Sequence, residues 1–181
     1  MATSGHNWVG LLRAIGPATH KLMSMSQLRE SCSAAGLGNV QTVLATGNLL
    51  FFSDRKQSDL KKLLTGILAT YGLDNEVFLR QPGALSSVLA ANPMAKAAKE
   101  RPNHLLVLFM DSPPGEERIE ALAKYEGPET IRCVGKEAYI DYVNGVACSK
   151  ATPARLEKML GRTGTARNWN TVKRLVEKTG G

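Results

Sequence analysis

Strand-like and helix-like apolar patterns alternate in a definite order over the first 80 residues, and this order constrains the fold more than any other feature. Short apolar runs bounded by turn residues predict strands, whereas apolar residues three or four positions apart predict helices. The predicted elements are strand, helix, strand, strand, helix and strand, over 8–14, 25–35, 40–45, 49–53, 58–71 and 76–79. This is the order of a split βαβ, or ferredoxin-like, arrangement. Residues 1–81 are therefore predicted to form a ferredoxin-like (βαββαβ) domain of an α+β protein.

A turn signal at Pro82-Gly83 marks the predicted end of this domain. Beyond it the sequence predicts a short helix, a buried strand, a helix and a hairpin of two strands, over 84–91, 104–110, 116–125, 130–134 and 138–143. Two further helices complete the chain. Residues 82–181 are thus predicted to form an α+β domain of βαββ order, with helix in place of a last strand. Neither half is large enough to bury a generous core, so we expect the two halves to pack together.

Positive charge is concentrated on the two C-terminal helices. The first is predicted to begin after Thr152 and to end at Gly161, and the second, capped by Thr165, to cover 166–178. The chain has a net charge of +7, and the segment from Lys150 onward, with eight basic and two acidic residues, holds +6 of it. A clustered basic segment attracts phosphates, nucleic acid or acidic partners. The alternative interpretation is a solvated helical face that keeps a small protein in solution.

Composition excludes several classes of protein. The apolar content of 43%, together with 17 glycines, is typical of a globular chain. The longest strongly apolar run, 105–110, is far shorter than the about 20 residues of a membrane span, and the N-terminus lacks a signal-peptide pattern. Cys32, Cys133 and Cys148 form no Cys-x-x-Cys pair, which argues against a disulfide framework or a zinc site and fits a reducing compartment. We expect a cytoplasmic protein with no membrane partner.

No established catalytic pattern is present in the sequence. His6, His20 and His104 have no metal-ligand spacing, and no Ser-His-Asp or Cys-His order stands out. Neither a phosphate-binding loop nor a Gly-x-Gly-x-x-Gly motif occurs. We therefore predict no metal and no cofactor. The sequence leaves open whether the protein is an enzyme.

Five polar residues are the candidate ligand-binding residues. Arg13 ends the first strand and Lys21 follows the next loop, where cations commonly face ligands but are also common as edge charges. Arg167 and Asn168 lie at the predicted N-terminus of the last helix, whose unpaired N–H groups attract anions, and Lys150 precedes the helix before it. These residues predict binding, with or without turnover, of a small anionic or phosphorylated ligand between the two halves.

Two alternative functions come from other features of the chain. A ferredoxin-like sheet is the scaffold of the RNA-recognition motif, in which aromatic residues stack on bases. Trp8 with either Phe51 or Phe52, together with the basic C-terminal helices, would then bind nucleic acid. Only one of the two phenylalanines can face outward, because side chains alternate along a strand. The third possibility is a protein-interaction adaptor, and no oligomeric state is predicted.

Several runs of residues, in order along nearly the whole chain, resemble a known family. They are Leu11-Leu12-Arg13-Ala14-Ile15, Thr46-Gly47-Asn48-Leu49-Leu50-Phe51, Gly135-Lys136-Glu137-Ala138-Tyr139, Ser149-Lys150 and Gly164-Thr165-Ala166-Arg167-Asn168-Trp169-Asn170-Thr171-Val172. They resemble the uncharacterised bacterial proteins gathered as domain-of-unknown-function family 1697. The resemblance implies a two-part α+β protein with a ferredoxin-like N-terminal portion and no established activity. In the 14–19 loop this chain lacks most of the glycines usual in the family.

Overall fold

The computed structural model describes residues 5–180 of the 181-residue chain, so the outermost ends of the two predicted domains lie outside the described residues. The chain divides into two compact units. Unit 1 extends to Leu85 and includes the chain end from Lys178, and unit 2 is Ser86–Glu177. Each unit contains one four-stranded antiparallel sheet.

Unit 1 has the predicted ferredoxin-like order. Its strands are β1 (His6–Leu12), β2 (Gly38–Thr42), β3 (Asn48–Ser53) and β4 (Val77–Arg80), arranged as β2-β3-β1-β4. Its helices are α1 (Pro17–His20), α2 (Met25–Ala34) and α3 (Gln57–Thr70). The predicted strands and the two longer helices are therefore present, whereas the single turn of α1 was not predicted.

One face of the unit 1 sheet packs against α2 and α3. The apolar side of α2 is buried at Leu28 and Cys32, and the Ser24 hydroxyl caps the helix by accepting a hydrogen bond from the Gln27 N–H (3.2 Å). Burial raises the pKa of the Cys32 thiol to about 12, so this cysteine is a core residue. The other buried members of this core come from both the sheet and the helices: Trp8, Leu12, Leu49, Phe51, Leu60, Leu64, Leu68, Val77 and Leu79.

Unit 2 repeats the same strand order. Its strands are β5 (Leu105–Met110), β6 (Thr130–Val134), β7 (Glu137–Asp141) and β8 (Gly164–Asn168), arranged as β6-β7-β5-β8. The helices of this half are α4 (Pro82–Ala90), which begins in unit 1, α5 (Ala95–Glu100), α6 (Glu116–Leu122), α7 (Pro153–Leu160) and α8 (Trp169–Thr179). Leu156 and Leu160 of α7 pack against one sheet face. On the opposite face, the Tyr139 hydroxyl donates to the Val88 carbonyl of α4 (2.8 Å).

The prediction that helix replaces the last strand of the second half is wrong. Residues 164–168 form β8, which pairs antiparallel with β5, and α8 begins only at Trp169. A Cβ at Gly164 would lie 2.8 Å from the Phe109 carbonyl oxygen, so the glycine permits the close approach of the two strands. This pairing between distant segments overrides the local helical pattern. The α+β class and the ferredoxin-like first half are confirmed, and the second half is βαββαβ as well.

No helix among residues 5–180 is long and apolar enough to cross a membrane.

Candidate functional site

The two predicted site residues of unit 1 lie on its surface. Arg13 follows β1 and forms an ion pair with Glu76 (3.4 Å), in which both side chains are more than one-third exposed. Such pairs contribute little stability, because water screens the charges. Lys21 is exposed at the end of α1. A role of Arg13 and Lys21 in ligand binding therefore stays a prediction.

Arg167 and Asn168, two predicted site residues of unit 2, have structural contacts. The Arg167 side chain is 7% exposed, and its guanidinium donates to the Thr165 hydroxyl (2.7 Å) and the Ala166 carbonyl (2.8 Å). Burial lowers the pKa of Arg167 to about 10. The side-chain oxygen of Asn168, rather than Thr165, caps α8 by accepting from the Thr171 N–H (2.9 Å). We therefore expect both side chains to stabilise the fold.

The fifth predicted residue, Lys150, lines a cleft within unit 2. The cleft has a volume of about 400 Å³. Its walls come from two segments far apart in sequence: Tyr125, Glu126, Gly127, Pro128, Cys148, Lys150 and Arg155. A cleft of this size can hold a small metabolite or a short piece of a larger ligand.

Strand pairing explains why these two segments meet. Thr130 at the start of β6 pairs with Asp141 at the end of β7, so the residues that enter β6 and those that leave β7 lie side by side. The end of β7 is fixed by Arg101, whose Nε donates to Asp141 Oδ1 (2.8 Å). An eleven-residue connection then leads to α7, which begins at Pro153.

A buried carboxylate holds the two walls of the cleft together. Glu129 is 6% exposed and accepts hydrogen bonds from the hydroxyls of Tyr125 and Ser149. The Ser149 hydroxyl oxygen in turn accepts from the Ala151 N–H (2.8 Å), which fixes the connection next to Lys150. Buried carboxylates need such partners, because desolvation of an unpaired charge is costly. Glu129 is therefore a positioning residue between the two segments.

The same contacts set the protonation of the network. Burial by itself raises the pKa of Glu129, but the hydrogen bonds from Ser149 and Tyr125 and the positive charge of Arg155 outweigh it, so the pKa lies below its ordinary value. Burial and the bond to Glu129 raise the pKa of Tyr125. Glu129 is thus ionised and Tyr125 protonated at neutral pH. A carboxylate with a lowered pKa is a weak general base, which favours binding over acid–base catalysis at this site.

Arg155 is held against the ring of Tyr125. Its guanidinium carbon lies 5.7 Å from the ring centroid, within the range of a cation–π contact. Gly127 also packs against this ring, because a Cβ at this position would overlap the Tyr125 hydroxyl. The tyrosine is therefore fixed by its hydroxyl, by Gly127 and by Arg155, and it orients the cation on the cleft wall.

The chemistry available in the cleft is that of charge recognition. Lys150 and Arg155 supply two exposed cations, and Glu126 is an exposed acid beside them. The exposed Cys148 thiol also lines the cleft. Among residues 5–180, no group of three or more His, Cys, Asp or Glu side chains could hold a metal ion.

Sequence reasoning found Lys150 but missed Tyr125, Glu129 and Arg155. A local signal existed for Arg155, because it is the third residue of a helix that starts at the predicted cap Thr152. No local signal links Glu129 to Ser149, since they are 20 positions apart and meet only through strand pairing.

The aromatic platform predicted on the unit 1 sheet is not available for stacking. Trp8 and Phe51 are 6% and 2% exposed and both lie in the core beneath α2 and α3. Phe52 is the outward-facing member of the pair and is half-buried. The Thr46-Gly47-Asn48 segment is structural: Gly47 has a φ of +78°, and the buried Asn48 amide donates to the Val43 carbonyl (2.9 Å).

A family model described as "Protein of unknown function (DUF1697)" matches residues 6–139. The chain belongs to this family. The predicted resemblance is thereby confirmed, and the match includes the Tyr125–Glu129 wall of the cleft, whereas Lys150 and Arg155 lie beyond it. Membership of the DUF1697 family supplies no activity, since its description names none.

One similar solved structure is titled "The structure of conserved bacterial protein SP0830 from Streptococcus pneumoniae". The TM-score is 0.74 at 18% sequence identity, and the match covers 98% of this chain and 100% of that one. At this identity the likeness shows the fold alone. No curated protein matches the DUF1697 chain.

Proposed function

We propose that the protein binds a small anionic ligand in the unit 2 cleft, with Lys150 and Arg155 as the residues that contact the anion. The observation that supports the proposal is the fixed placement of these two cations in one cleft. Each is held by a separate branch of one network. The Ser149–Glu129 hydrogen bond fixes the segment next to Lys150. Tyr125 donates to the same carboxylate, and its ring contacts the Arg155 guanidinium.

The two acidic side chains at the cleft differ in what they contribute. Both carboxylate oxygens of Glu129 already accept hydroxyl hydrogen bonds, so this acid is a structural part of the hydrogen-bond network. Glu126 is exposed and can turn into water, or it can meet a positive group on the ligand. The cleft therefore favours a ligand with one anionic group, such as a carboxylate or a phosphate, over a polyanion.

Of the five residues predicted from the sequence, only Lys150 has a place in this proposal. Arg13 pairs with Glu76, while Arg167 and Asn168 have structural contacts within their own strand and helix. Nucleic-acid binding through the basic C-terminal residues stays a second hypothesis. Its support is the charge of exposed side chains such as Lys173 and Arg174, and the experiment below includes it as an outcome.

Isothermal titration of the full chain with inorganic phosphate, acetate and pyrophosphate tests the proposal. We expect one of these anions to bind, and expect Lys150→Ala and Arg155→Ala each to weaken that binding by about tenfold, equivalent to about 1.4 kcal/mol. Lys158→Ala is the matched control, because Lys158 is an exposed cation on the same helix outside the cleft, and it should change affinity less than about twofold.

Two results would contradict the proposal. The first is equal weakening by all three substitutions, which would indicate a general effect of charge. The second is the absence of anion binding together with binding of a short single-stranded oligonucleotide that falls steeply with salt, which would favour the nucleic-acid hypothesis.

A further inference from the structure

The open edge of the unit 2 sheet begins where the cleft ends. β6 is the outer strand of this sheet, so one side of its backbone pairs with β7, and no other strand among residues 5–180 pairs with its second side. The register with β7 is continuous from Thr130 to Val134. A regular outer strand presents a row of N–H and C=O groups to which another extended chain can add.

The corresponding outer strand of unit 1 is built differently. The register of β2 with β3 shifts between Gly38 and Gln41, and Asn39 has a left-handed φ of +49°. Bulges of this kind protect an edge from further pairing. β6 has no such irregularity, and its Thr130, Arg132 and Val134 side chains are exposed.

The direction of β6 determines which end of an added strand would reach the cleft. Tyr125 to Glu129 lead directly into Thr130, so the cleft lies at the N-terminal end of β6. A strand added antiparallel runs in the opposite direction, and its C-terminal end therefore arrives beside the cleft. A strand added in parallel would instead bring its N-terminal ammonium to Lys150 and Arg155, with only Glu126 to attract it.

We propose that unit 2 binds the C-terminal end of an extended peptide, whose backbone pairs antiparallel with β6 and whose terminal carboxylate lies between Lys150 and Arg155. This inference rests on the proposed function and identifies the anion as a peptide carboxylate. At about 3.3 Å per residue, β6 is about 16 Å long and accommodates four or five peptide residues. The Ile131 carbonyl now accepts from the Arg132 guanidinium (3.0 Å), so pairing at this carbonyl displaces a flexible, exposed side chain.

Fluorescence polarisation with a defined probe tests the inference on the full chain. The probe is an N-terminally labelled pentapeptide of alternating threonine and valine with a free carboxyl end, and its partner is the same peptide with a C-terminal amide. We expect the acid to bind at least about tenfold more tightly than the amide. This preference should disappear in a Lys150→Ala/Arg155→Ala double variant and persist in Lys158→Ala.

N-methylated versions of the probe test the strand pairing separately. Methyl groups on alternate peptide nitrogens block the N–H groups that face β6 in one version and those that face solvent in the other. Only the first should lose binding, and bound probe should slow hydrogen exchange within 130–134.

Each other outcome overturns the inference in a recognisable way. Equal affinity of acid and amide, or equal affinity of the two N-methylated probes, would contradict it. If no probe binds while an inorganic anion binds at Lys150 and Arg155, the peptide inference fails and the proposed function stands. If neither the probes nor any inorganic anion binds, both fail.

Discussion

The two units share one strand order but differ in the connection that follows their third strand. In unit 1, three residues, 54–56, join β3 to the fourteen-residue helix α3. In unit 2, eleven residues, 142–152, join β7 to the eight-residue helix α7. Because the strand order is the same, the two units differ in which residues this connection can contribute to a binding site.

The short connection of unit 1 is occupied by structural contacts. The Arg55 guanidinium donates to the Ala35 carbonyl at the end of α2 (3.1 Å), and the Arg55 N–H donates to the Ser53 hydroxyl (3.2 Å). A shallow cleft of about 760 Å³ follows, lined by Arg55 and residues of one helix face. In unit 2 the longer connection contributes Cys148 and Lys150 as a second wall. The comparison indicates that connection length, on a constant sheet, decides which unit has a two-walled site.

The largest effects should come from truncating a core side chain in either unit, because α3 and α7 both pack through buried leucines. Leu64→Ala in α3 and Leu156→Ala in α7 should each cost about 2–5 kcal/mol through lost burial and a cavity. Urea denaturation measures the total loss of unfolding free energy. Hydrogen exchange of the backbone amides in each sheet shows which unit has lost it. A cost below about 1 kcal/mol at Leu156 would show that α7 is not packed as the structure has it.

Glu129→Gln should weaken the hydrogen bonds from Tyr125 and Ser149 to residue 129, which distinguish unit 2 from unit 1. The amide keeps one acceptor but presents a donor to a hydroxyl, so we expect a loss of about 1–3 kcal/mol. The folded-state pKa of Glu129 is lowered, so its stabilisation is present above the ordinary value of 4.5 and is lost as the pH falls through the folded value.

Denaturation midpoints between pH 7 and pH 3 check this linkage. Wild type should lose more stability over this range than Glu129→Gln. Glu126→Gln, which changes an exposed acid that lines the same cleft, should behave like wild type. Parallel pH curves for wild type and Glu129→Gln would contradict the assignment of Glu129.

The same substitution at two glycines should have opposite signs in the two units. Gly127→Ala places a Cβ on the Tyr125 ring, so we expect a loss of about 1–3 kcal/mol and weaker anion binding. Gly66→Ala in α3 meets nothing within 4 Å and should raise stability by about 0.5–1 kcal/mol. Thermal denaturation of both variants shows whether each substitution raises or lowers the stability. A neutral Gly127→Ala with unchanged anion affinity would mean that Tyr125 does not orient Arg155.

The smallest effect concerns a strained loop that only unit 1 has. Ala14 has a left-handed φ of +55° in the loop that follows β1. Relief of this strain, about 1–2 kcal/mol, is partly offset by the greater freedom of glycine in the unfolded chain. Ala14→Gly should therefore stabilise by at most about 1 kcal/mol in chemical denaturation. Clear destabilisation would show that the alanine side chain makes a contact that outweighs the strain.

Much of the fold was predictable because the local signals agreed with the tertiary structure. Ser24, directly before the predicted helix 25–35, caps α2, and Gly161 ends α7 in a left-handed conformation. The largest difference from the predicted elements is at 164–168, where a helix-compatible sequence becomes β8. Its partner β5 ends more than 50 positions earlier in the chain, and a local pattern carries no information about such pairing.

The site was less predictable for the same reason. Lys150 could be selected because charge and a helix start are local features of sequence. Arg167 could not be recognised as buried, because its burial depends on the strand that replaced the predicted helix. Glu129 becomes a positioning residue only after β6 and β7 pair, so its partners Tyr125 and Ser149 follow from the fold rather than from spacing.

The most direct test of anion binding in the unit 2 cleft is a titration of the ¹⁵N-labelled chain with inorganic phosphate, followed through its backbone amide resonances. We expect shifts confined to 125–129 and 148–155, with none at the equivalent connection and helix start of unit 1, 54–62. Loss of those shifts in Arg155→Ala, with the rest of the spectrum unchanged, would place the anion in the cleft. Shifts centred on 54–62 or on 173–178, or no shifts at all, would contradict the claim that the longer connection of unit 2 creates the binding site.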